Sequence, residues 1–188
     1  YEKSILPVNK LIKNFNNLSS KIIPPLKKAN KLIQDCKAHG TLTFAHASRH
    51  GFIASNFLKS FIKLGIFSEN DYEKFMTSLH TISKELQNDL IRYSKNNVDL
   101  KKLIKTYGHL RPGTYDNFNQ AYWENPNYYF KSNKKKIDKK VEFKLNLKQE
   151  FKILKILQKL QLKISVNQFL DYIKRSIIMR EQIKFEFT

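Results

Sequence analysis

The sequence has few of the residues that mark irregular or cross-linked proteins: one cysteine, five glycines and five prolines in 188 residues. The single Cys36 excludes an internal disulfide and a zinc site built from several cysteines, so we expect a reducing compartment, the cytoplasm. With 41% hydrophobic and 13% aromatic residues, the composition is that of a packed, helix-rich globule rather than of a disordered chain. At this length we expect one domain.

Long apolar stretches are also missing. No run approaches the roughly 18 residues that span a membrane. The first residues, YEKSILPVNK, lack the charged and then apolar layout of a secretory signal. We therefore expect no membrane partner.

Acidic residues are scarce, with 16 Asp and Glu against 35 Lys and Arg, a formal net charge of +19. Such an excess is typical of proteins that bind nucleic acid. However, only five of the basic residues are Arg, the side chain that bidentate phosphate and base contacts favour. An AT-rich coding sequence would give the same surplus of Lys, Asn and Ile. Nucleic acid is thus not the expected partner, although a stand-alone basic helical module that binds nucleic acid or an anionic surface stays as the alternative function.

Helical periodicity dominates the chain from Gly40 onwards. Apolar and basic residues recur there at spacings of three and four, which predicts one long helix ending near Gly65. The residues of this stripe are Leu42, His46, Arg49, His50, Ile53, Phe57 and Phe61. A second stripe predicts a continuous helix from Ser68 to Leu90, packed antiparallel to the first.

Local start signals predict the other helices. Ser68 with Asp71, Asn146 with Gln149, and Ser165 with Gln168 are capping boxes, and the last two predict helices at 147–161 and 166–187. Asp99 is expected to cap a helix ending at Tyr107, with Gly108 as a left-handed C-terminal residue. Just before the helix predicted at 147–161, an alternation of apolar and polar residues predicts a short strand or extended segment. The apolar positions are Val141, Phe143, Leu145 and Leu147. The expected fold class is mainly α: an antiparallel helical bundle with long loops and at most a short strand or hairpin.

Two helices carry basic residues on their apolar stripes. In the first long helix, His46, Arg49 and His50 either lie just above the core in contact with solvent or point inward and need partners. They are not expected to bind zinc, since the Glu of an H-E-x-x-H motif is absent. In the last helix, Arg180 and Lys184 continue the apolar stripe, and like charges four residues apart disfavour a helix. Either Glu181 neutralises them or they line an anion pocket.

The loop TYGHLRPGTYDNF, residues 106–118, is the densest polar segment. Its Pro-Gly pair predicts a rigid turn that displays His109, Arg111, Tyr115 and Asp116. The guanidinium of Arg111 suits a carboxylate or phosphate, and the carboxylate of Asp116 suits an amine or amide. The alternative is a structural loop in which these two residues pair with each other.

Three segments resemble the central region of phosphoenolpyruvate synthase-like phosphotransferases. They are YGHLRPGTYD (107–116), FAHASRHGFIASNFL (44–58) and REQIKFEFT (180–188). The resemblance spans roughly residues 40–188 with the segments in the expected order. It is strongest to versions found with capsular-polysaccharide genes, in particular L-glutamine kinases, which phosphorylate the side-chain nitrogen of glutamine.

The resemblance implies an acceptor-binding part of a larger enzyme. An upstream ATP-grasp region would use ATP and Mg to phosphorylate a His on a downstream mobile domain, which then delivers the phosphoryl group. The chain would be an excised central fragment, inactive alone and without cofactor or metal of its own, and His46 would not be the carrier.

The resemblance also implies roles for individual residues. The acceptor's carboxylate and ammonium would be held by Arg111 and Asp116, beside Tyr115. His109 would orient or deprotonate the amide nitrogen. Arg49, His50, Arg180 and Lys184 would join the loop in binding the acceptor and the incoming phosphoryl group. Of these, Arg180 and Lys184 would offset the phosphoryl charge.

Overall fold

A computed structural model of the chain describes residues 2–113, 118–131 and 142–187. Within these ranges the regular structure is entirely helical, so the predicted mainly α fold class is confirmed. The helices are α1 (Glu2–Ser19), α2 (Pro25–Asp35), α3 (Leu42–Lys63), α4 (Glu69–Ser78), α5 (Ile82–Ser94), α6 (Leu100–Tyr107), α7 (Pro126–Tyr129), α8 (Leu147–Lys159) and α9 (Val166–Phe187), and a π-helical segment, Cys36–Thr41, joins α2 to α3.

The chain forms two compact units. The first contains the described residues up to Leu79 together with Glu142–Phe187, and so holds α1 to α4, α8 and α9. The second contains the described residues between His80 and Val141, and so holds α5 to α7. The single domain expected from chain length stays a prediction.

Helices α3 and α9 form the centre of the first unit and run antiparallel. At the middle of α3, Phe52 contacts Arg180 of α9. Nearer the end of α3, Phe57 and Phe61 contact Phe169, eleven residues earlier in α9. The core between and around these helices contains Ala54, Leu58, Phe61, Phe75, Ile153, Leu157, Phe169, Ile173 and Ile177, all buried. Burial of such side chains stabilises the fold by about 1.5–3 kcal/mol each.

The buried face of α3 differs from the predicted stripe. Its buried residues are Thr43, Ala47, Gly51, Ala54, Leu58 and Phe61. His46, Arg49 and His50 are exposed instead, and so is Ile53, at 44% of its surface. Of the two alternatives for these basic residues, contact with solvent is therefore the one observed, and the stripe that they share with Ile53 is not the buried face of α3. Small residues allow α9 to approach α3 closely, so they define the contact face although they add little to a hydrophobicity pattern.

The predicted helix starts are confirmed. Each capping box is reciprocal: the N-cap side chain accepts a bond from the third helical residue's N–H, and that residue's side chain accepts one from the N-cap N–H. The first two boxes are also joined, because Gln149 Nε2 donates to Asp71 Oδ2 over 3.1 Å. Asp99 caps α6 as predicted, accepting from the Lys101 N–H.

Two predicted helix features are wrong. The helix expected from residue 69 to Leu90 is two helices, because Leu79 is extended (φ −73°, ψ 137°) and Thr81 caps α5 by accepting from the Lys84 N–H. Leu79 is itself buried, so the apolar spacing continues across the break and conceals it. Gly108 is right-handed, with φ −62°. It is needed for space, because a Cβ atom there would collide with the Ile104 carbonyl and lie 3.2 Å from Trp123 Cβ.

The segment before α8 contains no strand within residues 142–146, and Val141 lies outside the described residues. The alternation is nevertheless a burial pattern: Phe143 and Leu145 pack against the core of the first unit, and the residues between them are exposed. Leu147 already belongs to α8.

Among the described residues, no helix has the length and apolar character required to cross a bilayer.

We predict that Asp71→Ala lowers the free energy of unfolding by about 1 kcal/mol at neutral pH, the usual effect of losing a cap. Hydrogen bonds from Ser68, above all from its backbone, lower the pKa of Asp71 below 3.8. A carboxyl group whose pKa is lowered by folding stabilises the folded state at pH values above its ordinary pKa. This stabilisation is lost as the pH falls through the pKa of the folded state.

Urea unfolding of both proteins across the acid range tests this prediction. The difference in the free energy of unfolding between wild type and Asp71→Ala should shrink as the pH falls below 3.8, the ordinary pKa of an Asp side chain. Glu73→Ala, which removes an exposed carboxylate from the same helix, is the matched control. An equal loss of stability in both variants would contradict the capping role.

Candidate functional site

The predicted site residues fall into the two units. Arg49, His50, Arg180 and Lys184 lie in the first unit, on α3 and α9. His109 and Arg111 lie in the second unit, in the loop after α6. The predicted substrate-binding residues Tyr115 and Asp116 lie outside the described residues.

Arg180 lies across α3 at Gly51. A Cβ atom on residue 51 would be 2.6 Å from Arg180 Cδ and 3.2 Å from Arg180 Cβ. The absence of a side chain at Gly51 is thus what lets the stem of Arg180 cross the helix. The guanidinium then lies over the ring of Phe52, with its central carbon 4.9 Å from the ring centroid. This cation–π contact fixes the guanidinium while leaving its charge in place.

One residue before this crossing, His50 is linked to α9. Its Nδ1 atom is 3.0 Å from the Tyr172 hydroxyl, and the two rings meet edge to face with centroids 5.9 Å apart. If the hydroxyl donates to Nδ1, the imidazole is neutral with its proton on Nε2; if His50 is protonated, Nδ1 donates to the hydroxyl instead. In either state Tyr172 holds the ring at the edge of the helix pair.

The first unit therefore presents basic groups along the α3–α9 contact. Arg180 and Lys184 are half-buried on α9, whereas Arg49 and His50 are exposed on α3. On the same helix Arg175 is neutralised by Asp171, with Nε 2.8 Å from Oδ2. The contrast matters, because an aromatic partner allows Arg180 to attract a further anion more readily than a carboxylate partner would.

The loop in the second unit is braced from within. The N–H groups of Trp123 and Tyr122 donate to the carbonyls of Gly108 (3.0 Å) and Leu110 (2.9 Å). These two bonds hold the chain at Gly108–Leu110 beside the chain at Tyr122–Trp123.

Arg111 supports the same loop. Its Nη1 atom donates to the Asn119 carbonyl over 2.6 Å and lies 3.9 Å from Glu124 Oε2. Glu124 Oε2 also accepts a hydrogen bond from the Ala121 N–H. Such contacts are what a structural loop would use. The two contacts that Arg111 itself makes use only its Nη1 atom. A guanidinium carries five N–H donors, so Arg111 can support the loop and bind a ligand at the same time. His109, two residues earlier, is half-buried.

The start of this loop is anchored by a contact that sequence spacing did not reveal. Tyr107 donates its hydroxyl proton to Asp89 Oδ2 over 2.9 Å, and Arg92 Nη1 lies 3.2 Å from the other oxygen of that carboxylate. Burial of the hydroxyl is the main cause that raises the pKa of Tyr107 well above its ordinary value, and the hydrogen bond to Asp89 raises it further. The tyrosine is therefore a neutral donor that ties α6 to α5.

Three surface pockets are formed within single units. One of about 420 Å³ lies between the capping boxes of α4 and α8, one of about 340 Å³ between α8 and α9, and one of about 260 Å³ beside Asp89. None of these three is lined by a predicted site residue. In the described part of the chain, no cluster of three or more His, Cys, Asp or Glu side chains is placed to hold a metal ion.

Other residues at the α3–α9 contact were missed by sequence reasoning. Gly51, Phe52 and Tyr172 position Arg180 and His50, but none has a local signature of such a role. Gly51 offered the only signal, since a glycine inside a helix is costly and usually has a packing reason.

We predict that Gly51→Ala destabilises the first unit by about 1–3 kcal/mol, the usual effect of overpacking, because the new methyl group displaces Arg180. The helix propensity of Ala alone would act in the opposite direction. In the Arg180→Ala background the penalty should fall, because the Cδ atom is gone. Urea unfolding of the two single variants and the double variant measures this coupling. Additive effects would contradict the proposed contact.

The chain matches no family model, no curated protein and no solved structure.

Proposed function

We propose that this chain is the acceptor-binding part of a cytoplasmic, ATP-dependent phosphotransferase that acts through a phospho-His intermediate. The acceptor we propose is L-glutamine, phosphorylated on its amide nitrogen for capsular polysaccharide phosphoramidate biosynthesis. Its partners would be an ATP-grasp region and a phospho-His domain of the same polypeptide. ATP and Mg would act in the ATP-grasp region, and no role for them is assigned to the residues described here.

The contact between α3 and α9 is the observation that carries this proposal. Two of the three segments that resemble such enzymes, residues 44–58 and 180–188, lie far apart in sequence. They meet where Arg180 crosses Gly51 and contacts Phe52. A shared functional surface requires segments distant in sequence to come together. One of the residues that meet here is Arg180, to which the resemblance assigns the phosphoryl charge.

The chemistry of the first unit suits a phosphoryl group. Transfer of a phosphoryl group needs positive charge around its equatorial oxygens, and positioned guanidinium groups supply it. Arg180 is held rigidly by its ring contact, and His50 is oriented by Tyr172. Arg49 and Lys184 would add positive charge on the same two helices.

The loop in the second unit suits an amino acid. We assign Arg111 to the α-carboxylate, because its planar fork matches two oxygens and its position is fixed by Asn119. Asp116 and Tyr115 are proposed to hold the α-ammonium group.

We propose the following transfer step. The amide nitrogen of glutamine attacks phosphorus as the bond from phosphorus to the carrier imidazole breaks. His109 accepts the proton that the amide nitrogen loses.

We predict that the whole chain binds L-glutamine measurably by titration calorimetry, and that Arg111→Ala weakens this binding at least about tenfold, equivalent to 1.4 kcal/mol. Loss of a charge-assisted bidentate contact to the carboxylate is the physical reason. D-Glutamine, with the same charges and opposite stereochemistry, should bind more weakly.

The matched control is Arg92→Ala, which removes an arginine of the same unit that also contacts a carboxylate. It should leave glutamine binding unchanged. If Arg111→Ala and Arg92→Ala have equal effects, the carboxylate assignment is wrong. If D- and L-glutamine bind equally, the proposed acceptor is wrong.

A further inference from the structure

Helix α8 has a second apolar face, which is turned to solvent. Its buried face consists of Gln149, Ile153 and Leu157. On the other side Leu147, Phe151 and Leu154 are exposed over 86%, 56% and 37% of their surfaces. We call these three residues the α8 stripe. An ordinary surface helix has one apolar face, so a second one at regular spacing calls for a partner.

The spacing of the stripe indicates the kind of partner. Its members are four and then three residues apart, the repeat with which one α-helix packs along another. They cover only about 60° of the helix circumference, at 100° per residue. An apolar face that packs a helix onto a protein core typically spans about 100° or more, whereas a narrower stripe is typical of the seam between two paired helices. The stripe is therefore shaped for a helix.

The charges beside the stripe indicate the character of that helix. Lys148 and Lys155 are exposed, lie seven residues apart and directly follow Leu147 and Leu154, so both flank the same side of the stripe, while the exposed Glu150 flanks its other side. The Nζ atom of Lys155 lies 4.6 Å from the centroid of the Phe151 ring. Charges at these flanking positions select the partner in paired helices, and lysines select acidic residues.

We propose that the α8 stripe is a docking surface for an acidic amphipathic helix of a partner protein or segment. A second copy of this chain suits the surface poorly. Each copy has a formal charge of +19, and an antiparallel pairing would bring the flanking lysines together. Because only three apolar side chains are involved, the contact is small and the binding transient. This inference does not depend on the proposed function.

The test uses two labelled synthetic helical peptides and the whole chain. Both peptides carry Leu at alternating spacings of three and four; one has Glu and the other Lys at the flanking positions. Fluorescence anisotropy should show saturable binding of the Glu peptide and none of the Lys peptide. Equal binding of the two peptides would overturn the proposal.

Variants separate this surface from the overall charge. Phe151→Ser combined with Leu154→Ser should weaken binding of the Glu peptide at least about tenfold, as loss of a central anchor does. The control pair, Leu42→Ser with Leu64→Ser, alters exposed leucines elsewhere in the first unit. Lys148→Gln with Lys155→Gln should weaken binding more than Lys13→Gln with Lys37→Gln, which changes exposed lysines of other segments. Circular dichroism confirms that each variant is folded.

Three further outcomes would overturn the proposal. The stripe variants and their controls could weaken binding equally, which would reduce the effect to overall charge. The chain could bind phosphatidylserine vesicles through Phe151 and Leu154 but ignore the Glu peptide, which would assign the stripe to a lipid surface. Sedimentation could show a dimer that the stripe variants abolish, which would assign it to a second copy.

Discussion

The close packing of α3 on α9 is the constraint on which the rest of the first unit depends. Ala47, Gly51 and Ala54 bring the two backbones together, and the larger side chains Leu58 and Ile173 then fill the space further along, where both are fully buried. Tightly packed interiors tolerate little added volume, so the absence of a side chain at Gly51 fixes how the helices meet. The same absence creates the passage that the stem of Arg180 occupies. One packing feature thus sets both the core and the position of a candidate functional group.

Polar contacts join α4 and α8 beside this pair. Asp71 closes the capping box of α4 and also accepts a bond from Gln149, which closes the capping box of α8. Two helix starts that are distant in sequence are joined by side chains that each helix already needs for its own cap. Lys152 of α8 adds a bond to the Gly65 carbonyl at the end of α3. These contacts fix which face of α8 meets the core, and consequently which face is left to solvent.

Three of the candidate functional residues are held in place by neighbouring groups. Arg180 contacts an aromatic ring and His50 a tyrosine hydroxyl. Arg111 donates to the uncharged Asn119 carbonyl, and the Glu124 carboxylate lies 3.9 Å from the same Nη1 atom. Groups fixed in this way are pre-organised, since little side-chain entropy remains to be lost when a ligand binds. This property supports a binding role for both units, and it would support binding of anions other than those proposed here.

The sequence by itself determined the helical class and the starts of α4, α6, α8 and α9, because a helix cap is a set of bonds within about three residues and needs no distant partner. Ser68, Asn146 and Ser165 therefore identified their helices correctly, and Asp99 did so with a simpler cap. Only the tertiary structure decided which face of α3 is buried, where the helix after Ser68 breaks, and that Phe143 and Leu145 pack without a strand. It also decided that Arg180 meets Gly51 and that Tyr107 meets Asp89. These outcomes depend on space and partners supplied by residues far away in the chain, and hydrophobic periodicity carries no record of either.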